Sequence, residues 1–325
     1  MDKPIRIFIN GFGRIGRTIT RMLLTQKHGI EIAGINDIAD LDTCAYLFAY
    51  DSIYGPYPGS VRDAPGTLRV DGHELPFTHA PDISTLDLAG IDIVLECTGA
   101  AGDRAVAERG LTAGARRVLI SGPSEAADAT IVLGANDAAL ADQRIVSNAS
   151  CTTNALAPLL KILDGALGVV SGHMTTVHCY TSSQPTTDKP RGPWERSRAA
   201  ALSMVPTTTS AGRLIDVVLP HLEGRIEARA VRVPTASVSA IDLTVQTAQP
   251  ASVDAVNHAL VAAEPLIGWT SVPLVSTDLR GRPESLVADL RETSVSAGGL
   301  LRVFGWYDNE WGFSARMLDM VKRMA

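Results

Sequence analysis

The sequence has little that would take it to a nucleic acid, a membrane or an oxidising compartment. Its 325 residues hold 29 Lys and Arg against 35 Asp and Glu, a formal net charge of −6, and no long basic run, so a polyanionic partner is excluded on charge. No apolar stretch approaches the roughly 18 residues that span a bilayer. The opening Met1-Asp2-Lys3-Pro4 leads straight into a β-branched run without the apolar core of a signal peptide. Cysteine is scarce, with four in all (Cys44, Cys97, Cys151, Cys179), and none has CxxC or metal-ligand spacing. In so long a chain that pattern predicts reduced thiols in a cytoplasmic protein, with no bound metal. Repeats and low-complexity tracts are also missing. What remains is ordinary globular composition, 46% apolar and 20% charged, in a chain long enough for two domains.

The most informative stretch near the start is Ile5-Arg6-Ile7-Phe8-Ile9 followed by Asn10-Gly11-Phe12-Gly13-Arg14-Ile15-Gly16-Arg17. Ile15, Ile19, Met22 and Leu23 then fall on one helical face. A GxGxxG pattern between a strand and a helix is a dinucleotide fingerprint. Gly11 permits the tight turn, Gly13 lets the backbone approach a pyrophosphate, and Gly16 lets the helix pack on the sheet. The first turn, Arg14 and Ile15 included, then offers N–H groups to the phosphates. A second strand, Ile30 to Ile35, ends at Asn36-Asp37, 21 residues beyond Gly16, where an acid binds ribose hydroxyls and repels a 2′-phosphate. These residues predict an NAD site.

Further strands are expected at 91–95, 118–120 and 131–133, with Ala-rich helical stretches between some of them. This alternation predicts a doubly wound parallel sheet, an α/β Rossmann unit. Strand ends in such sheets face the ligand, which makes Thr98, Gly99 and Ser121 candidate cofactor contacts, or else plain strand-terminating turns. After residue 150 the texture changes. Met174 to Thr181 is β-rich, 182–198 is a long aperiodic loop, and 230–233 and 240–245 alternate as half-buried strands do. A helix is expected over 254–262 and a strand over 300–306. Phe313, Met317, Met320 and Met324 mark one face of a closing helix. The organisation expected is a Rossmann domain over 1–149, joined by the C-terminal helix 309–325, and an α+β domain with a mixed or antiparallel sheet over 150–308.

Ser147-Asn148-Ala149-Ser150-Cys151-Thr152-Thr153-Asn154 precedes helical spacing at Leu156, Leu159, Leu160 and Leu163. Ser150 is a natural N-cap, which puts Cys151 in the first turn, where free N–H groups and the helix dipole favour a thiolate. The plainer alternative is a buried structural thiol. Pro158 predicts a bend or a short first segment. His178 lies 27 positions past the cysteine on the β-rich segment.

With these residues in hand, the chain resembles the phosphorylating glyceraldehyde-3-phosphate dehydrogenases and the related erythrose-4-phosphate dehydrogenases. The resemblance runs over essentially the whole length, through INGFGRIGR (9–17), SNASCTTN (147–154), HCYT (178–181), RAAA (198–201), VPTTT (205–209), AVRVPT (230–235) and WYDNEWGF (306–313). It implies Cys151 as the nucleophile that forms a thiohemiacetal and then a thioester, His178 as base and ion-pair partner, NAD as hydride acceptor, and inorganic phosphate as the group that cleaves the thioester. It also implies Thr181 and Arg232 at the phosphate of an aldose phosphate, with Ser150, Thr152, Thr209 and Arg196 near the attacking phosphate. Asn309 would hold the nicotinamide carboxamide, or serve as a helix N-cap. Family assembly implies a homotetramer. The erythrose enzyme, with thioester hydrolysis, is the alternative substrate reading, and a nucleotide sensor without turnover is the alternative from another class.

Three positions depart from the family pattern. Ser210 stands where the family usually has Gly, and Glu195 replaces the first of two arginines; both bear on the attacking phosphate. Lys189 stands where NAD-dependent members usually carry an apolar residue, a change toward NADP that Asp37 opposes by charge.

Overall fold

Two sheets organise the chain, one in each of two compact units. The structure, a computed structural model, describes residues 3–26 and 28–325; Met1 and Asp2 of the opening segment lie outside them. The first unit comprises residues up to Ile131, with Ala138–Ala149 and Ser314–Ala325, and the second comprises Val132–Asp137 and Ser150–Phe313. The sequence had placed 132–137 and 309–313 with the first unit; both group with the second.

In the first unit, β1 (Ile5–Asn10) leads into helix α1 (Arg14–Thr25) and returns as β2 (Ile30–Asn36). Ile7 and Ile9 are fully buried and Phe8 nearly so, as a parallel strand covered on both faces requires. The sheet continues through β3 (Val61–Ala64), β4 (Thr67–Val70), β5 (His73–Thr78), β6 (Ile93–Glu96), β7 (Arg117–Ile120), β8 (Ala129–Thr130) and β9 (Ile145–Ser147). Its order is β8-β9-β7-β6-β1-β2-β5-β4-β3. Strands β8 to β5 in that order pair in parallel, and β5, β4 and β3 extend the edge as an antiparallel meander. The strand order reverses between β1 and β6, and ligands of open α/β sheets bind at such a switch point.

The strand expected over 131–133 does not form. Ladder pairing ends at Thr130; Ile131 N–H still donates to Ser147 O, but Ala135 N–H turns back onto Val132 O and Asn136 Oδ1 accepts from Val132 N–H. The three apolar residues are buried in a turn, and a short apolar run looks the same from sequence in either setting.

The second unit begins with α2 (Cys151–Leu167), then β10 (Val169–Cys179), β11 (Val205–Thr207), α3 (Ala211–Val218), β12 (Ile226–Val233), β13 (Ser239–Thr247), α4 (Val253–Val261), β14 (Ile267–Thr270), β15 (Leu286–Asp289) and β16 (Leu301–Tyr307). The sheet order is β11-β12-β10-β13-β16-β15-β14, with β10–β12 and β14–β15 parallel and the remaining pairs of that path antiparallel. This is the mixed sheet the alternating runs predict. Helix α2 passes through Pro158 as one 17-residue element, so the short first segment is not seen. Pro158 removes one N–H and costs about 3 kcal/mol, whereas Leu156, Leu159, Leu160 and Leu163 are all fully buried, each side chain contributing about 1.5–3 kcal/mol. The last helix, α5 (Trp311–Met324), buries Met317, Met320 and Met324 as its spacing predicts.

Candidate active site

The first unit holds a cavity of about 320 Å³ at the switch point, lined by Asn10, Gly11, Gly13, Asn36, Asp37, Thr98 and neighbours. The three glycines of the fingerprint act differently. Gly11 has φ +97°, and a Cβ there would sit 2.7 Å from Cys97 C. At Gly16 a Cβ would fall 2.2 Å from Gly11 O. Gly13 faces open space, with nothing within 4 Å of where its Cβ would be. It is the N-cap of α1, and with no side chain it leaves the first-turn N–H groups free of a side-chain cap. Those N–H groups beside an unfilled space fit a pyrophosphate. Asp37 braces the loop, its Oδ2 accepting from Phe12 N–H at 2.6 Å and its Oδ1 from Ala39 N–H at 2.9 Å, and its carboxylate still lines the cavity where a ribose would lie.

Other expected cofactor residues do not line this cavity. Arg14 turns its guanidinium to Asp51 and over the Tyr54 ring, and neither it nor Ile15 lines the cavity. Gly99 is a positive-φ turn residue at +74°, and Ser121 lies beside the Cys97 thiol rather than in the lining.

The second unit holds a cavity of about 380 Å³ lined by Ser150, Cys151, Thr152, Thr176, His178, Arg196, Thr208, Thr209, Ser210, Ala230 and Arg232. Cys151 opens α2, and the Ser150 hydroxyl caps it by accepting from Thr153 N–H at 3.0 Å. Ala149, fully buried just before the cap, takes φ +56°, a left-handed conformation uncommon outside glycine that turns the chain sharply into the helix. His178 comes from β10 and is the register partner of Arg232 on β12. Its Nε2 lies 3.7 Å from Cys151 Sγ. Arg196 is held by Thr207 Oγ1 at 2.7 Å and Thr208 O at 3.1 Å, and Thr209 Oγ1 accepts from Ala211 N–H at the start of α3. A nucleophile, an imidazole, two guanidinium groups and six hydroxyls therefore surround one space, an arrangement suited to a cysteine acting on an anionic substrate.

The chain matches the family description "Glyceraldehyde 3-phosphate dehydrogenase, NAD binding domain" over residues 5–104 and "Glyceraldehyde 3-phosphate dehydrogenase, C-terminal domain" over residues 150–309. It is 45% identical over 329 residues to the glyceraldehyde-3-phosphate dehydrogenase of Pseudomonas aeruginosa, covering 99% of this chain and 98% of that one. It is 43% identical over 327 residues to that of Cereibacter sphaeroides, covering 98% of each. Against glyceraldehyde-3-phosphate dehydrogenase 2 of Streptomyces arenae it is 45% identical over 326 residues, covering 97% of each. The chain belongs to the glyceraldehyde-3-phosphate dehydrogenase family.

Two residues that the family resemblance assigns to the site do not line the second cavity. Thr181 shares a hydrogen bond with Ser183 Oγ at 2.9 Å, and Asn309 Oδ1 accepts from the Cys179 thiol at 3.1 Å. Nor is Asn309 the helix cap, because Asp308 Oδ1 accepts from Glu310 and Trp311 N–H. Asn309 Oδ1 is thus occupied within the unit, leaving its amide N–H₂ as the group able to meet a carboxamide oxygen.

In this glyceraldehyde-3-phosphate dehydrogenase family member burial acts on both groups of the Cys151–His178 pair. Burial, and then the Arg232 charge, push the His178 imidazole down, opposed by its hydrogen bond to Cys179 O. Burial pushes the Cys151 thiol above its ordinary range, opposed by Arg232 and by hydrogen bonds from Thr152. The helix N-terminus acts as the sequence suggests and Arg232 adds to it, both opposing the desolvation of the thiol. Burial pushes the Cys97 and Cys179 thiols up to about 12.

Residues overlooked in the sequence complete both sites. The buried Tyr307 hydroxyl is 2.9 Å from Thr152 Oγ1 and 2.8 Å from Thr176 Oγ1, and its ring stands edge-on to His178 at 6.0 Å. Beneath the glycine loop, Glu96 accepts from Asn10 Nδ2 at 2.6 Å and Thr98 N–H at 3.0 Å, while Asn36 donates to Asn10 Oδ1 at 2.9 Å. This network ties the ends of β1, β2 and β6 together. Among the described residues no cluster of His, Cys, Asp or Glu is placed to hold a metal, and no helix is long and apolar enough to cross a membrane.

Proposed function

We propose that the protein is an NAD-dependent glyceraldehyde-3-phosphate dehydrogenase of the phosphorylating, glycolytic kind, acting in the cytoplasm. The observation that carries the reading is Cys151 Sγ at 3.7 Å from His178 Nε2, beside a space ringed by Arg196, Arg232 and hydroxyls. Cys151 adds to the aldehyde carbon, and its proton passes through His178 Nε2 to the carbonyl oxygen, giving a neutral thiohemiacetal. His178 would then take the hydroxyl proton, and NAD held in the dinucleotide site would supply the acceptor for the C–H hydride, leaving the acyl group on Cys151 as a thioester. Arg196 and Arg232 bring phosphate oxygens into the site, where planar guanidinium groups bind them in pairs. Attack by phosphate breaks the C–S bond, releases 1,3-bisphosphoglycerate and returns Cys151. In the dinucleotide site, Gly11, Gly13 and the first turn of α1 receive the pyrophosphate and Asp37 the ribose, and bound NAD supplies the hydride acceptor.

The test is NADH formation from glyceraldehyde 3-phosphate and from erythrose 4-phosphate, each with and without inorganic phosphate. Faster, phosphate-dependent triose oxidation is expected; preference for the tetrose without phosphate dependence overturns the reading. The relatives named above carry the triose name, which favours that substrate over the tetrose.

His178→Asn is expected to slow oxidation by about 10²–10⁴-fold, the range for a lost general base, with NAD affinity unchanged. Steady-state rates beside an NAD titration check this. Ser210, half-buried at the N-cap of α3, lines the cavity without a cap bond of its own. Its φ of −73° needs no glycine. A hydroxyl there adds a donor to phosphate, and such a bond contributes about 0.5–1.5 kcal/mol net, roughly 2- to 13-fold. Ser210→Gly should raise KM for phosphate by that factor and leave KM for the triose phosphate in place.

A homotetramer is the assembly we infer. Trp194, Leu202 and Met204 of the second unit are 92%, 83% and 74% exposed, more apolar surface than one loop of a lone subunit normally leaves to water. Light scattering at working concentration is expected to report four chains; a monomer overturns this.

A further inference from the structure

Strands β10, β13 and β16 are neighbours in the second sheet, and residues at their ends form a buried cluster. Cys179 closes β10, Ser239 opens β13 and Asn309 follows β16 by two positions. They are 1%, 1% and 8% exposed. The Cys179 main chain is fixed on both sides. Its N–H donates to Ser239 Oγ at 3.2 Å, and its carbonyl oxygen lies 2.7 Å from His178 Nδ1 and 2.9 Å from Arg232 Nη1. The Ser239 hydroxyl also bonds the Cys179 sulfur. The thiol, kept protonated by burial, donates to Asn309 Oδ1 at 3.1 Å. A side-chain amide accepts at one end and donates at the other, and a half-turn exchanges the two. With Oδ1 turned to the S–H, Nδ2 points away, and among the described residues no protein acceptor meets it. In the reversed amide an N–H would face sulfur, a weak acceptor, and the S–H would lose its oxygen.

We propose that Cys179 is a positioning residue for the cofactor, its thiol holding the Asn309 amide so that a donor is presented to the carbonyl oxygen of the NAD carboxamide. The Asn309 end then reads a carbonyl and is indifferent to the carboxamide nitrogen. A dinucleotide that offers an N–H but only a weak acceptor is bound in one of two ways: through the weak acceptor, or by reversing the amide and giving up the S–H bond. Either way it is penalised by up to the net strength of that bond. The proposal rests on the reading in which Asn309 meets the carboxamide, and adds the group that chooses which end of the amide does so.

Two NAD analogues test this by calorimetric titration without substrate. 3-Acetylpyridine adenine dinucleotide keeps the carbonyl and lacks the N–H₂; thionicotinamide adenine dinucleotide keeps the N–H₂ and has sulfur in place of the carbonyl oxygen. Cys179→Val removes the donor at similar volume, and the preference for the acetyl over the thio analogue is expected to shrink by about 2- to 5-fold. That is the lower part of the range for one hydrogen bond, since S–H is a weak donor. Cys179→Ser, which keeps a donor, should retain the preference of the parent. ADP-ribose, which has no nicotinamide, should bind all three proteins alike. A preference unchanged in Cys179→Val, or lost equally in Cys179→Ser, overturns the proposal. The infrared S–H stretch decides it even where the valine variant fails to fold. The Cys179 band, assigned by its loss in Cys179→Ser, should lie below that of a free thiol and rise in Asn309→Leu; a band at the free-thiol position in the parent overturns the proposal. The two readings fail separately. A shifted preference in a protein that forms no NADH from triose phosphate overturns only the function, whereas turnover with a preference indifferent to Cys179 overturns only the positioning.

Discussion

Replacing Cys151 by serine is expected to lower NADH formation from glyceraldehyde 3-phosphate by at least about four orders of magnitude, with NAD affinity and melting temperature unchanged. The size follows from the chemistry. Serine keeps nearly the shape of cysteine, but its hydroxyl does not ionise near neutral pH and is a poorer nucleophile, and an alkoxide is a poorer leaving group from the acyl intermediate. The His178 ring does not make up the difference, because an alcohol is a far weaker acid than a thiol. Stability should hold because serine keeps the size of cysteine beside the His178 ring and Thr152, and the cap bond from Thr153 N–H to Ser150 Oγ is untouched. NAD affinity should hold because the dinucleotide cavity is lined by first-unit residues alone. Single-turnover kinetics and a thermal melt decide the matter. A serine variant within tenfold of the parent would remove covalent catalysis from the mechanism.

The parts of both sites that were legible in the sequence are those set by neighbours a few positions apart. Gly11, Gly13 and Gly16 lie between a strand and a helix, and the serine cap before Cys151 sits three residues from the N–H it binds; such local geometry is carried by residue type alone. The two sheet types were legible for the same reason, since continuous apolar runs and alternating ones bury different faces. What could not be read depends on contacts between distant positions. Tyr307 reaches Thr152 across 155 positions and Asn10 reaches Glu96 across 86, and nothing local marks either pair. The electrostatics of the cysteine–histidine pair are out of reach for a related reason. Helix N-terminus and partner histidine are visible in sequence, but the burial that raises the thiol and lowers the imidazole is a property of the folded unit. Pro158 shows the same limit, because the burial that outweighs its lost N–H comes from the far side of the helix it interrupts.

The second large effect concerns Gly16, where substitution by alanine should destabilise the protein although alanine is the better helix former. Gly16 lies inside α1, and in a free helix interior the change would add about 1 kcal/mol of stability. Here a Cβ would lie 2.2 Å from Gly11 O and 3.2 Å from Ile9 Cγ2. The first contact is with backbone, which cannot rotate aside. Gly11 cannot retreat either, because its N–H donates to Asn36 O at 2.8 Å and the backbone of Cys97 and Thr98 lies within 2.8 Å of where its own Cβ would stand. Helix α1 must lift from the sheet, and overpacking of this kind costs about 1–3 kcal/mol. The melting temperature should therefore fall by several degrees, at about 2–4 °C per kcal/mol for units of this size. NAD affinity should fall by about 100-fold or more, because the first-turn N–H groups move off the pyrophosphate position. Gly13→Ala separates the two effects. Its Cβ meets no protein atom, so the melting temperature should stay within about 2 °C, yet the added methyl occupies the space a pyrophosphate needs and NAD affinity should drop as well. Thermal melts and NAD titrations on both variants check the pair of expectations. A Gly16→Ala protein as stable as the parent would mean that the close approach of α1 to the glycine loop is not what requires glycine there.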